Sequence, residues 1–415
     1  GFISKTLFLE QLDTNRESLN VFLLVSMLAI SARFTPALCR RFRDGKTASE
    51  FFTDIAQVLV AEEMWKTTLE NTQAFFLLGL ADWGQGARDR SAICMGIAVR
   101  MAGVLRLHRE ETFALPPDAP ADQVVKSESG RRTFWIIQNH DNLYTQEHLP
   151  TSFSKEDITT LLPCDESDFA FGRIPPTRGA LPGTPPSLSD PSLVWSPQRS
   201  LFATLIQVHD LWGMIARDVH PARTKDAEPI WIPESSYSRK AKALEEWESR
   251  MPPQHRWSVW NLRGFKAENL DLAYLSIVTI TRLNNIILRR AYLDDLLNHT
   301  SQEQQPPLAI CSPGSGAPPH GFWEAFSRDL FVNSWRLFEA IDFWYELRAA
   351  DDGYPAMLAL CIYACGSTAH CLIKWPQLFP DYASSAKNVA KKSMEMLLTF
   401  EKKWSTVSRW VDNLR

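Results

Sequence analysis

The sequence runs to 415 residues, 45% hydrophobic and 22% charged, which excludes wholesale disorder and collagen-like repeats. Lys and Arg number 44 against 48 Asp and Glu, a net charge of −4. A duplex-gripping domain carries a basic excess to displace counterions from phosphates, so direct DNA binding by this stretch is not expected.

Fifteen Trp and 23 Phe against 18 Gly favour large side chains packed between helices over turn-rich β architecture, and the fold class is read as all-α. The length exceeds the roughly 250–300 residues at which one hydrophobic core stops growing, so two packed lobes are expected. The seven cysteines, Cys39, Cys94, Cys164, Cys311, Cys361, Cys365 and Cys371, are odd in number and mostly lie in apolar stretches, which fits free thiols in a reducing compartment. The apolar stretch of residues 21–30, with Ser26 inside it, falls short of the ~20 residues a bilayer span needs, so no membrane partner is expected. The chain opens in mid-pattern on Gly1-Phe2 with no initiator Met or signal segment and reads as an excised piece.

Val21, Leu24, Val25, Leu28 and Ala29 recur at three- and four-residue steps and predict a helix over 17–34. A second is predicted from 47 or 49 to 64, with Ser49 capping its first turn and Phe52, Ile55, Val58 and Leu59 facing inward. Helices over 69–81 and 91–107 follow, joined by a Gly84-Gln85-Gly86 turn short enough to favour antiparallel neighbours. In the second of these Ala92, Gly96 and Gly103 line one edge. Close approach of a partner backbone is expected there, to offset the roughly 1 kcal/mol each helical glycine costs. The stretch 111–123, with Pro116, Pro117 and Pro120, reads as a loop, and 126–147 as a long helix stopped by Pro150.

Prolines crowd residues 164–198, from Pro175 to Pro197, and mark an irregular crossover between a lobe centred on 60–175 and a second over 199–415. Helices are predicted over 199–218, 235–250, 267–299, 321–349, 354–375 and 381–410, the last broken near Phe400. The segment 301–319, rich in Gln, Pro, Gly and Ser, reads as a surface excursion.

No Gly-x-Ser-x-Gly elbow, Walker loop or His-Glu-x-x-His helix occurs. Gly84-Gln85-Gly86 begins like a dinucleotide fingerprint but reaches Asp89 where a third glycine is needed. Asp294-Asp295, with Asn298, has the one enzymatic reading: paired carboxylates with which an all-α terpene synthase holds magnesium against a diphosphate. Asn333-Ser334 does not supply the downstream metal motif this requires, and a solvated helix end accounts for the carboxylates. Cys361 and Cys365 share a helix face, but Cys371 and His370 fall out of register, so these thiols read as core filler rather than zinc ligands. Neither catalysis nor a cofactor is expected in this chain.

In order along the chain, residues 70–163 resemble the middle homology region of fungal zinc binuclear cluster transcription factors. The resemblance rests on the helix bearing Gln73, Leu77, Leu78 and Gly79, and on the run from Gly96 through Arg100, Ala102 and Leu105 to His108. It continues in Glu128, Arg131, Arg132, Phe134 and Trp135, with Asp141 six residues on, then Pro150, Asp157-Ile158 and Leu162-Pro163. Ile136 after Trp135, Asn142 after Asp141 and His148-Leu149-Pro150 depart from the family pattern. The resemblance implies a regulatory domain acting in the nucleus on RNA polymerase II transcription. It implies DNA contact only through a six-Cys module that binds two zinc ions and is absent from this chain. It also implies a small-molecule effector, or else a scaffold that dimerises or docks co-regulators.

The motif residues Gln73, Gly96, Arg100, His108, Arg131, Arg132, Trp135 and Asp141 carry a physical expectation of their own. Arg100 and His108, two turns apart on one predicted helix, need acceptors inside an apolar bundle, and Asp141 and Glu128 on the next long helix are placed to supply them. A polar clasp between the two helices is expected, with Trp135 filling core and Arg131-Arg132 capping a carboxylate face.

Overall fold

The computed structural model describes residues 1–143, 151–218, 228–302, 318–349 and 352–415, and among these it contains nineteen α-helices and no β-strand. The chain opens with α1 (Lys5–Thr14), α2 (Val21–Ser31), α3 (Pro36–Arg41) and α4 (Gly45–Glu63). The side chains of Ser4, Asn20 and Asp44 accept from the N–H groups of Leu7, Leu23 and Thr47, satisfying donors that a first helical turn leaves unpaired.

Helix α4 inverts the expected face. Ala48, Ser49, Thr53 and Ala56 are buried, Phe52 and Leu59 are half-buried, and Val58 is 79% exposed. A close crossing explains this: a Cβ on Gly45 would stand 2.5 Å from the Arg33 carbonyl oxygen. The buried Arg33 guanidinium donates to Ser49, whose hydroxyl reaches the Ala29 carbonyl of α2. Only small or hydroxylated residues fit such a contact, so Ser49 is a buried partner of Arg33, and Asp44 is the cap.

The hairpin of α5 (Leu69–Gln85) and α6 (Arg88–Val104) is present as expected. It turns on Gly86 at φ +87°, a left-handed conformation glycine adopts without strain. Ala87 N–H donates to the Asp82 carbonyl and Gly86 N–H to that of Trp83, which closes the helix. Helix α6 stops at Val104, Arg106 takes φ +56°, and His108 therefore lies beyond the helix that was expected to carry it. Helix α7 (Ala121–Leu143) follows. Its predicted continuation to 147, the Pro150 stop and the His148-Leu149-Pro150 triplet lie outside the described residues.

The proline-bearing strap carries the short α8 (Glu166–Phe171) and α9 (Pro185–Ser189) and a 3-10 turn over Pro191–Val194. Beyond it come α10 (Leu201–Asp218), α11 (Ser236–Ser249), α12 (Val259–Ala267), α13 (Asp271–Arg290) and α14 (Leu293–Gln302). The chain ends with α15 (Phe322–Leu347), α16 (Ala356–Lys374), α17 (Pro380–Ala383), α18 (Ala386–Glu401) and α19 (Ser408–Leu414). The single helix expected over 267–299 is divided at Ala291-Tyr292, and α12, which lacks a strong apolar period, precedes it. Most of the expected excursion at 301–319, Cys311 included, lies outside the described residues.

Among the described residues, buried apolar side chains form two large clusters, one containing Phe22, Phe75, Leu78, Phe134 and Trp135, the other Tyr274, Phe331, Trp344, Cys361 and Phe400, and a small third of Val125, Cys164 and Phe169. Helix α10 enters both, giving Ala203 and Ile206 to the first and Val208 and Trp212 to the second. The C-terminal segment also bridges them. The Arg33 guanidinium lies 4.1 Å from the Trp404 ring centre and donates to the Lys403 carbonyl at 3.1 Å. Trp404 covers Gly84 so closely that a Cβ there would stand 2.3 Å from the ring. Helix α16 is long and apolar enough to cross a membrane, but its Cys361, Cys365, Ala369 and Leu372 are buried in the second cluster, against α15 and α18.

Candidate functional site

Three arginines and three glutamates converge where α7 meets the strap. Glu128, 2% exposed, is the hub: it lies 3.2 Å from Arg132 Nε, 2.8 Å from Arg178 Nη2 and 3.6 Å from Arg131 Nε, and accepts from Cys164 N–H at 3.0 Å. Arg131 grips Glu110 with both terminal nitrogens, donates to the Leu161 carbonyl at 3.0 Å and lies over the Phe113 ring. Arg132, fully buried, donates to Glu166 at 2.6 Å and to the Cys164 carbonyl at 2.8 Å, with its guanidinium 4.1 Å from the Phe169 ring centre.

Burial alone would raise the Glu128 carboxyl, but Arg178, Arg132 and Arg131 outweigh it and hold it below its ordinary value. Burial likewise works against the Arg132 charge, and Glu166 and Glu128 reverse the effect and raise it. The signs balance, three against three, which is what makes so much buried charge tolerable. Trp135, fully buried, donates its indole N–H to the Leu161 carbonyl at 2.9 Å, and Gln73 reaches from α5 to the Ser129 and Thr133 hydroxyls of α7.

Four of the eight motif residues, Gln73, Arg131, Arg132 and Trp135, thus bind α7 to its surroundings. The other four lie elsewhere. Arg100 is exposed and meets no carboxylate among the described residues, because α6 turns that face to solvent. No other described part of the chain comes within 4 Å of a Cβ built on Gly96, so the close packing expected to offset its helical cost is not there; it lines an apolar surface groove of about 340 Å³ with Arg100, Ile93 and Val104. His108 stacks on Phe153 at 5.3 Å, and burial, then the neighbouring Arg109, lowers its pKa. Asp141 accepts from the Ser152 N–H and hydroxyl instead of reaching back to α6. The clasp therefore joins α7 to the strap rather than α6 to α7. Glu110, Glu166 and Arg178 were not singled out in the sequence, since Glu110 and Arg178 stand outside any α-helix and α8, which Glu166 opens, is too short to mark an inward face.

The motifs weighed for chemistry do not converge. Among the described residues no three His, Cys, Asp or Glu side chains form a metal-binding group. Asn333 is engaged by Arg282 and Ser334 by Thr368, which ties up the counterpart of the Asp294-Asp295 pair. Burial pushes the Cys361 thiol up to about 12, and His370 Nδ1 meets its own helix at the Gly366 carbonyl.

Beside the ion cluster a cleft of about 1160 Å³ opens between the strap (163–179), residues 196–202 and residues 254–270. Cys164, Glu166 and Arg178 of the cluster form part of its wall. Opposite them Arg199, 4% exposed, donates to the Thr204 hydroxyl, the Ser196 carbonyl and the Arg250 carbonyl, all neutral. Burial without a counter-charge brings it down to about 10. His255, equally buried, shares the Thr204 hydroxyl through Nδ1 at 2.9 Å, and burial, then Arg199, pulls it down to about 4.

Residues 1–191 match the model of the fungal specific transcription factor domain. These residues belong to that family. An uncharacterised transcriptional regulatory protein of Schizosaccharomyces pombe is 26% identical over 330 residues, 75% of this chain and 47% of the relative. A Zn(2)-C6 fungal-type transcription factor of Fusarium oxysporum f. sp. lycopersici is 25% identical over 288 residues, 67% of this chain and 31% of the relative. The citrinin biosynthesis transcriptional activator of Monascus ruber is 27% identical over 161 residues, 39% of this chain and 30% of the relative. The chain thus spans less than half the length of these relatives. No solved structure matches. The ion cluster lies wholly inside the fungal transcription factor domain, whereas Arg199 and His255 lie past the matched residues, so the cleft is walled partly by each.

Proposed function

We propose that this chain is the regulatory part of a fungal transcription factor and that a small-molecule effector entering the cleft controls it. The factor acts in the nucleus on RNA polymerase II transcription, and a zinc cluster elsewhere in the longer protein grips DNA. The chain itself holds no cofactor and catalyses nothing. One observation carries the effector reading: the cleft is walled on one side by the ion cluster of the family domain and on the other by residues beyond it. A ligand touching both sides acts on their relative packing, and it shifts a conformational equilibrium by as much as its affinities for the two packings differ. Thermal unfolding of the purified chain with a broad metabolite panel tests this. A true effector raises the melting temperature as its concentration passes its dissociation constant, and indifference to every compound overturns the reading.

A scaffold reading is favoured by a different face. Ile93 (64% exposed) and Val104 (62% exposed) flank the groove on α6 beside Arg100, which has no partner among the described residues. An amphipathic helix with an apolar stripe and an acidic flank fits that groove. Polarisation of a labelled designed peptide of that pattern should rise on mixing, and Ile93→Glu with Val104→Glu should abolish the rise. Prenyl diphosphate with magnesium should stay intact, which checks the terpene synthase alternative.

A further inference from the structure

We propose that the cleft selects a monocarboxylate with an apolar body, an inference that rests on the effector reading and names the chemistry the cleft takes. The deep end is cationic and under-engaged. Arg199 carries five N–H donors, and the three hydrogen bonds to Thr204, Ser196 and Arg250 leave two without an acceptor among the described residues. A buried guanidinium facing only neutral oxygens lacks the anion that ordinarily accompanies such a group, and a fork of free N–H donors matches a carboxylate.

His255 adds to this end. The Thr204 hydroxyl already accepts from Arg199 Nε, and His255 Nδ1 is the acceptor its own hydrogen finds among the described residues. That arrangement puts the proton of the neutral imidazole on Nε2, making it a further donor on the same wall. Leu201, Phe202, Phe265 and Leu270 line the cleft around these groups and give an apolar body its contact.

The rim has the opposite sign. Asp165 and Glu268 are exposed, line the cleft and pair with no basic residue among the described ones, while Glu166 and Asp168 are held by Arg132 and Arg173. An anion with one charge places it at the deep end and clears the rim. A second carboxylate on the same body faces Asp165 and Glu268 and is disfavoured.

The test uses the purified chain with 3-phenylpropionate, its neutral twin 3-phenylpropionamide, and phenylsuccinate as the dicarboxylate, read by calorimetric titration and thermal shift. The carboxylate is expected to bind at least tenfold more tightly than the amide, and Arg199→Gln to erase that preference. Because Arg199 is buried and its variant risks misfolding, the exposed pair Asp165→Asn with Glu268→Gln gives an independent arm. It should improve phenylsuccinate binding severalfold and 3-phenylpropionate binding by a clearly smaller factor. Equal binding of amide and acid, or no gain for phenylsuccinate in the rim variant, overturns the inference while leaving the effector reading standing. Silence of all three probes and of the broad panel overturns both.

Discussion

Replacing Glu128 by Gln is the most direct test of the ion cluster. The cluster holds three arginines against Glu110, Glu128 and Glu166, and Glu128 alone lies within 3.6 Å of all three guanidinium groups. Glu128→Gln keeps the side-chain volume and an acceptor for the Cys164 N–H but leaves three buried positive charges facing two carboxylates. Removing one member of a buried ion set costs about 3–5 kcal/mol, and retention of the amide oxygen puts this case near ~3 kcal/mol. Denaturant unfolding followed by tryptophan fluorescence at pH 7 reads this as a lower midpoint. Adding Arg178→Gln restores the charge balance, so the double variant should be less destabilised than the sum of the singles, by about 0.5–3 kcal/mol of coupling. The pH dependence has a definite sign. The folded Glu128 carboxyl is held below its ordinary 4.5, so its contribution is present above about that pH and fades as the pH falls through the lower folded value. The gap between wild type and variant should narrow in that acid window. A loss below about 1 kcal/mol at pH 7, or strict additivity with Arg178→Gln, would refute the reasoning.

Gly84→Ala should destabilise by about 1–3 kcal/mol, because its Cβ would meet the Trp404 ring at 2.3 Å; in a Trp404→Ala background the same change should be nearly neutral by thermal unfolding. Arg100→Ala should alter stability by no more than about 0.5 kcal/mol, since Arg100 is exposed and has no partner among the described residues, whereas Arg131→Ala should cost several times more in the same assay. His140 and His209 are brought down to about 3, and His255 to about 4, chiefly by burial, so each stays neutral in the folded chain. Their folded values lie below the unfolded value of 6.5, so stability should fall as the pH drops from about 6.5 toward 4. Each buried histidine contributes up to about 1.4 kcal/mol per pH unit, which unfolding at stepped pH values checks.

Apolar period made the helices legible, and the α5 and α6 hairpin, α10, α15 and α16 stand close to where spacing puts them. The period misled in α4, where Val58 and Ile55 form a plausible stripe yet face outward. Arg33 and the α2 backbone approach α4 too closely for large side chains, and spacing carries no information about that distance. Within the site, Arg131, Arg132 and Glu128 were visible as charges inside a helix that could not all face water. Their partners were not: Glu110 and Arg178 stand outside any α-helix, and the six-residue α8 that Glu166 opens is too short to show a face. The expected pairing of Arg100 and His108 with α7 failed for two local reasons: α6 turns Arg100 to solvent, and it ends at Val104, short of His108. Arg199 escaped notice because a lone arginine before a helix looks like any surface charge until its burial is known.

The packing of Trp404 over Gly84 bears on how the chain is made. A ribosome delivers the family-matched residues 1–191 long before it delivers α10 or the tryptophan, yet Ala203, Ile206 and Trp404 fill space against that first half. The nascent N-terminal half therefore waits, with apolar surface uncovered, until Trp404 leaves the exit tunnel. A gene fragment cut at the boundary of the family match inherits that exposure permanently.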